Sequence, residues 1–227
     1  MSDLRRVWVT RARPGVDRTA GRLSALGFTP LVVPLLAIRP LDARPDLTGV
    51  QALAFTSRNA VTVFSGRSGP PSVPVFAVGD ATAASAREAG FRDVRSAGGD
   101  LHALAALIRT EGAGLSILHP CAAEPAGDLA ALVGDAARVT ALAVYESVET
   151  GAAAPDPWDA VLIHSPRAGQ VLADRLAADG VASRIAVAIS DAAARPLTVA
   201  GLAEVRIAAA PTEDALLAAL GKPGANV

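Results

Sequence analysis

Small hydroxylic or glycine residues stand directly after short apolar runs throughout the sequence, at Thr10, Thr56, Ser57, Gly79, Thr82, Ser165 and Ser190. Where such a run is a strand and a helix follows, these positions present short side chains and unpaired backbone N–H groups. Both bind carboxylate or phosphate oxygens without needing net positive charge. Each residue alone reads as an ordinary helix N-cap. Their return at equivalent places in both halves of the chain points to a shared anionic ligand.

Other chemistries lack their residues. Gly79-Asp80-Ala81-Thr82 does not have the spacing of a dinucleotide or triphosphate loop, so nicotinamide, flavin and nucleotide cofactors are not expected. His102, His119 and His164 are scattered outside any ligand motif, and no metal is expected. His119 stands two residues before Cys121, but sequence neighbours seldom act as a nucleophile and its base. Tyr145 is the single tyrosine, within Ala141-Leu142-Ala143-Val144-Tyr145-Glu146. Alternation along that run puts it on the face of Ala143 and Ser147. It reads either as a half-buried strand tyrosine with a wet hydroxyl or as a proton donor facing a ligand.

The elements that must position these residues alternate regularly. Strands are expected at 6–10, 53–56, 75–78, 94–96, 115–118, 161–164, 185–189 and 205–208, with amphipathic helices between them. Val16, Ala20, Leu23 and Leu26 share one helical face, and Gly27 ends that helix. Asp100 caps a helix carrying Leu101, Leu104, Leu107 and Ile108, and the helix opened by Ser165-Pro166-Arg167 runs to Gly180. Prolines at 30, 34 and 40 keep 29–41 extended, and 139–148 is extended as well. This order implies parallel sheets with helices on both faces.

The order also repeats. Phe55-Thr56-Ser57-Arg58-Asn59-Ala60-Val61 is similar to Ile163-His164-Ser165-Pro166-Arg167-Ala168-Gly169, and 75–97 parallels 185–209. Two similar α/β lobes follow, with chemistry expected in a cleft between them. The residues leave open a tandem arrangement and an out-and-back path.

Composition bounds the partners. The chain has 227 residues, 51% of them hydrophobic, with 21 basic and 22 acidic side chains. That balance gives no field for nucleic acid or an anionic membrane surface. The apolar run 31–38 is interrupted by Pro34 and is too short to span a bilayer, and Val7-Trp8-Val9 is too short for a signal peptide. The lone Cys121 suits a reducing compartment, so a cytoplasmic location is expected.

Taken together, Val9-Thr10-Arg11-Ala12-Arg13-Pro14, Pro34-Leu35-Leu36, Phe55 to Val61 and Val78-Gly79-Asp80-Ala81-Thr82-Ala83 form an ordered set. Val144-Tyr145-Glu146, His164-Ser165-Pro166 and Pro211-Thr212-Glu213-Asp214-Ala215-Leu216 continue it. The set resembles the uroporphyrinogen-III synthase family over nearly the whole chain. The resemblance implies two flavodoxin-like α/β domains, one of them discontinuous: 1–35 with 149–227, and 42–140, joined by a two-stranded linker at 36–41 and 141–148.

The resemblance also implies a reaction. Hydroxymethylbilane loses its terminal hydroxyl and closes to uroporphyrinogen III with inversion of ring D, with no cofactor and no metal. Nothing in the sequence demands more than a monomer, and a monomer is expected. Tyr145 matches the family's linker tyrosine and is the expected catalytic residue. Thr10, Arg11, Arg13, Thr56, Ser57, Asn59, Gly79, Thr82, Ser165, Pro166, Arg167 and Ser190 are the expected substrate contacts. The competing reading is a non-catalytic two-lobed binder of a small anion, or a degenerate relative of the synthase. Departures from the family pattern fall at Ser190-Asp191-Ala192-Ala193, at His119 to Glu124, which lacks basic residues, and at His164, where threonine is common.

Overall fold

The structure is a computed structural model that describes residues 4–13, 15–176 and 182–223. Pro14 and the helix end expected at Gly180 lie outside the described residues. In chain order the elements are β1 (Arg6–Val9), α1 (Gly15–Ala25), β2 (Thr29–Val32), β3 (Leu36–Pro40), β4 (Ala52–Phe55), α2 (Arg58–Ser68), β5 (Val75–Ala77), α3 (Asp80–Glu88) and β6 (Val94–Ser96). There follow α4 (Leu101–Glu111), β7 (Ser116–Ala122), α5 (Leu129–Val133), β8 (Arg138–Glu149), β9 (Ala160–Ile163), α6 (Pro166–Leu176), β10 (Ile185–Ala188), α7 (Asp191–Ala194), β11 (Glu204–Ile207) and α8 (Glu213–Leu220).

The chain divides into two compact units, Met1–Ala37 with Val148–Val227, and Ile38–Ser147. Unit 1 holds a five-stranded sheet in the order β11-β10-β9-β1-β2, parallel throughout. Counted along the chain this is the flavodoxin-like order 2-1-3-4-5. Unit 2 holds a sheet in the order β3-β8-β7-β4-β5-β6, with β4 to β8 parallel. Its strands β8-β7-β4-β5-β6 match β2-β1-β9-β10-β11 one for one. The fold is therefore α/β with two similar sheets flanked by helices.

The matching has a consequence for chain path. Each repeat runs as a strand–helix–strand piece followed by a three-strand piece with its helices. Unit 1 combines the first piece of repeat one (β1, β2) with the second piece of repeat two (β9, β10, β11). Unit 2 combines the second piece of repeat one (β4, β5, β6) with the first piece of repeat two (β7, β8).

Side-chain alternation explains why both sheet faces are covered. In β1, Val7 and Val9 pack with Leu23 of α1 and Leu216 and Leu220 of α8, while Trp8 points the other way into a core with Leu172 of α6. In β4, Leu53 and Phe55 pack with Val61 and Phe64 of α2, while Ala52 and Ala54 meet Leu104 and Ile108 of α4. Phe55 stacks edge-on with Phe64 at 5.8 Å and Phe91 at 5.7 Å. Small residues allow the tightest approach. A Cβ on Gly169 of α6 would lie 2.3 Å from the Ala193 carbonyl oxygen of α7.

Two expectations about faces are corrected. In α1 the buried side chains are Val16, Thr19 and Leu23, whereas Leu26 is 50% exposed, because the helix ends at Ala25 and Gly27 turns the chain away with φ +87°. In β8 the alternation through Ala143, Tyr145 and Ser147 breaks. The register against β7 jumps from Cys121↔Ala143 to Ala122↔Tyr145, leaving Val144 as an extra residue. Ala143 is exposed, and Val144 and Tyr145 are both buried.

Candidate functional site

In unit 2 the carboxyl end of β4 feeds α2, and the residues at that junction are engaged with β7 and β8. Ser57 is the N-cap of α2: its Oγ accepts the Ala60 N–H at 3.1 Å. The same Oγ lies 3.0 Å from the Tyr145 hydroxyl. Thr56, one residue earlier, places its Oγ1 3.1 Å from His119 Nε2 on β7. Thr56, Ser57 and Asn59 are all partly exposed, while Tyr145 and His119 are buried. The β8 bulge swings Tyr145 into this cluster.

Burial raises the Tyr145 pKa above its ordinary value, with the nearby Cys121 adding to the effect and hydrogen bonding with Ser57 and Asn59 opposing it. The phenol is protonated at neutral pH. Burial likewise lowers His119 to about 4 despite Asp128, so this imidazole is neutral at neutral pH. Burial raises the Cys121 thiol. A depressed thiol pKa, which nucleophilic chemistry requires, is the opposite of what this position produces.

The chemistry open to the cluster is hydrogen-bond donation and proton transfer. Ser57 has one lone pair committed to Ala60 and keeps its O–H. When that O–H donates to the Tyr145 oxygen, the phenol O–H is free to donate to a ligand. The positive end of an 11-residue helix then stands behind the pair.

The remaining sequence candidates of unit 2 lie at the next strand end. Gly79 is the N-cap residue of α3 and uses no side-chain bond, and Thr82 is buried in its first turn.

Unit 1 uses the equivalent strand ends differently. Thr10 is fully buried and its hydroxyl donates to the Leu162 carbonyl at 2.6 Å. Arg11 Nη1 donates to Glu213 Oε2 at 2.8 Å and to Thr19 Oγ1 at 3.3 Å, while Thr19 Oγ1 donates to Glu213 Oε1 at 2.5 Å. His164 Nε2 lies 3.3 Å from the same carboxylate. Burial pushes the Glu213 carboxyl up, but hydrogen bonding and charge from His164, together with Thr19 and Arg11, outweigh it and hold the pKa at about 2. Arg11 thus sits opposite an internal carboxylate supplied by α8.

Ser165 Oγ accepts from Ala168 N at 3.2 Å and Ser190 Oγ from Ala193 N at 3.4 Å, both as caps. Pro166 and Arg167 form the exposed first turn of α6, and Arg13 pairs with Asp17 on the surface. The sequence reasoning missed Thr19, Glu213 and His119 as partners at these sites. Glu213 carried a signal, since it lies within a matched segment. His119 carried only its position near a strand end.

Residues 17–218 match the family described as uroporphyrinogen-III synthase HemD. The chain belongs to this family. Uroporphyrinogen-III synthases are cyclising lyases of haem biosynthesis, and the activity of this chain is theirs; nothing favours a non-catalytic binder of a small anion. Solved structures agree at the level of fold. The uroporphyrinogen-III synthetase of Helicobacter pylori 26695 is 19% identical with a TM-score of 0.68, covering 95% of this chain and 97% of its own. A mutant uroporphyrinogen III synthase of the extremely thermophilic bacterium Thermus thermophilus is 17% identical with a TM-score of 0.54, covering 94% and 96%. None of the curated proteins matches the sequence significantly. No described helix is long and apolar enough to cross a membrane.

Proposed function

We propose that in the conversion of hydroxymethylbilane to uroporphyrinogen III, Tyr145 assists departure of the terminal hydroxyl. In this reading the phenol O–H donates to the leaving oxygen, the C–O bond breaks, and water departs with the phenolic proton. Ser57 O–H then stabilises the phenolate. Ring D attacks the resulting azafulvene through its substituted carbon, and the spiro intermediate opens and recloses inverted. The proton lost when the last ring regains aromaticity returns to the phenolate. The observation that carries this is the 3.0 Å contact of Tyr145 with a serine already fixed by its cap bond.

Thr56, Ser57, Asn59 and the α3 start at Gly79 and Thr82 supply hydroxyls and backbone N–H groups suited to substrate carboxylates. In unit 1 the backbone N–H groups after Ser165 and Ser190, with Pro166 and Arg167 beside them, serve the same purpose. Thr10, Arg11 and Arg13 line the first strand end. Residues 36–41 and 141–148, which include Tyr145, form the linker between domains. The enzyme works as a monomer in the cytoplasm without a cofactor, a setting in which the buried thiol of Cys121 stays reduced.

The test supplies fresh hydroxymethylbilane, oxidises the products and separates the porphyrin isomers. The III isomer is expected above the enzyme-free background, and Tyr145→Phe is expected to reduce kcat by roughly 10²–10⁴-fold. Loss of one hydrogen bond costs the fold only about 1 kcal/mol. Wild-type turnover in the Phe variant removes Tyr145 from the mechanism.

A further inference from the structure

His119 has no place in the chemistry above, yet it is a buried side chain 3% exposed whose Nε2 meets the partly exposed Thr56 hydroxyl at 3.1 Å. The arrangement is particular to unit 2. Leu118 pairs with Leu53 as Trp8 pairs with Val161, so Val9 stands where His119 does, and His164 stands where Thr56 does. The corresponding positions of unit 1 therefore cannot form this pair.

We infer that His119 is a positioning residue for substrate binding, turning the Thr56 hydroxyl toward an anionic group of the bilane. The inference rests on the reading of Thr56 as a substrate contact. A threonine hydroxyl has one proton to give and rotates among three staggered positions. With the ring protonated at Nε2, the imidazole donates to Thr56 Oγ1 and the Thr56 O–H is released to point outward. With the ring protonated at Nδ1, Nε2 accepts from Thr56, and only lone pairs face the ligand. A carboxylate accepts hydrogen bonds and cannot donate them, so its arrival selects the first tautomer. Both tautomers are neutral, so the exchange buries no charge.

This role suits the environment of the ring. Asp128 is the charged group acting on it, Cys121 lies two residues along the same strand, and Ala141 is its pairing partner on β8. Burial keeps His119 uncharged, so it adds direction rather than attraction. It thereby makes use of a segment without the basic residues that resemblance to the family leads one to expect.

Steady-state kinetics on the full chain with hydroxymethylbilane test the inference. Thr56→Val is expected to raise KM roughly tenfold, the value of a hydrogen bond to a charged group. His119→Phe keeps the ring volume without the nitrogen and is expected to raise KM about threefold or more, because the hydroxyl regains three positions. Its kcat stays within about twofold of wild type. The double variant binds no worse than Thr56→Val, and His119→Gln, whose amide N–H reaches the same place, restores most of the loss.

Wild-type KM in His119→Phe beside a weakened Thr56→Val overturns the inference alone, as do additive effects in the double variant. An unchanged KM in Thr56→Val removes the substrate-binding reading of Thr56 and this inference with it. NMR of the imidazole nitrogens in the wild-type enzyme with uroporphyrinogen III bound needs no variant to fold. A proton on Nε2 is expected, and a proton on Nδ1 overturns the proposal.

Discussion

Acid should unfold unit 2 through His119 well before it titrates the ion network of unit 1. The imidazole has an ordinary pKa of 6.5 and is held at about 4 in the fold. Between these values the unfolded chain binds a proton that the native chain refuses, so stability rises with pH and falls on acidification. The gap corresponds to about 3 kcal/mol, most of it lost by pH 4.5. With a urea m-value of about 1–1.5 kcal/mol/M for a unit of this size, the unfolding midpoint should fall by about 2 M between pH 7 and pH 4.5. The probe must be chosen with care, because both tryptophans, Trp8 and Trp158, lie in the core of unit 1. Amide exchange in β4, β5 and β7 reports unit 2 and should show the fall. Tryptophan emission should lag behind it. His119→Gln should flatten the dependence across this window. If the unit 2 midpoint stays level from pH 7 to pH 4.5, or if the Gln variant keeps the wild-type slope, the account of this buried ring is wrong.

Other perturbations reach different parts of the molecule. Glu213→Gln should cost unit 1 up to about 3 kcal/mol at pH 7. Because the depressed pKa of Glu213 gives stability that is complete above about 4.5 and lost as pH falls through about 2, the variant should lack that acid limb; tryptophan emission in urea reads both effects. Gly169→Ala should destabilise unit 1 by about 1–3 kcal/mol, since the new methyl meets the Ala193 carbonyl at 2.3 Å, and a normal melting temperature would show that α6 and α7 separate freely. Ser57→Ala should remove both the α2 cap, about 1 kcal/mol by urea titration, and the hydroxyl behind Tyr145. Its kcat should fall together with its stability, and unchanged turnover would dismiss Ser57 as a relay.

Much of the fold was legible because strand and helix periods differ and the turn residues between them are distinctive. Asp100, Thr212 and Ser190 cap the helices where their types and spacing place them. The position of Tyr145 was legible as well, since it is the one tyrosine on an extended segment. Its burial was not. The extra residue Val144 reverses the side-chain alternation, and a bulge depends on pairing with β7 rather than on the local run of residues. The contacts of the candidate sites were hidden for a related reason. Arg11 and Glu213 are separated by 202 residues, and Thr56 and His119 by 63. No periodicity within either segment records a partner that only sheet order brings near.

The crossed assembly of the two repeats bears on how such a chain can be cut and how it can arise. A single repeat owns no complete unit: apart from the edge strand β3, it carries two strands for one sheet and three for the other. Two copies complete both sheets, which is the topology of an exchanged homodimer whose subunits have become covalently joined. The join lies between α4 and β7, around Gly112 and Gly114. Fragments separated there should be unfolded alone and should recover both folds when mixed. A cut within either segment of unit 1, as between β9 and β10, instead divides the unit 1 sheet while leaving the unit 2 sheet intact.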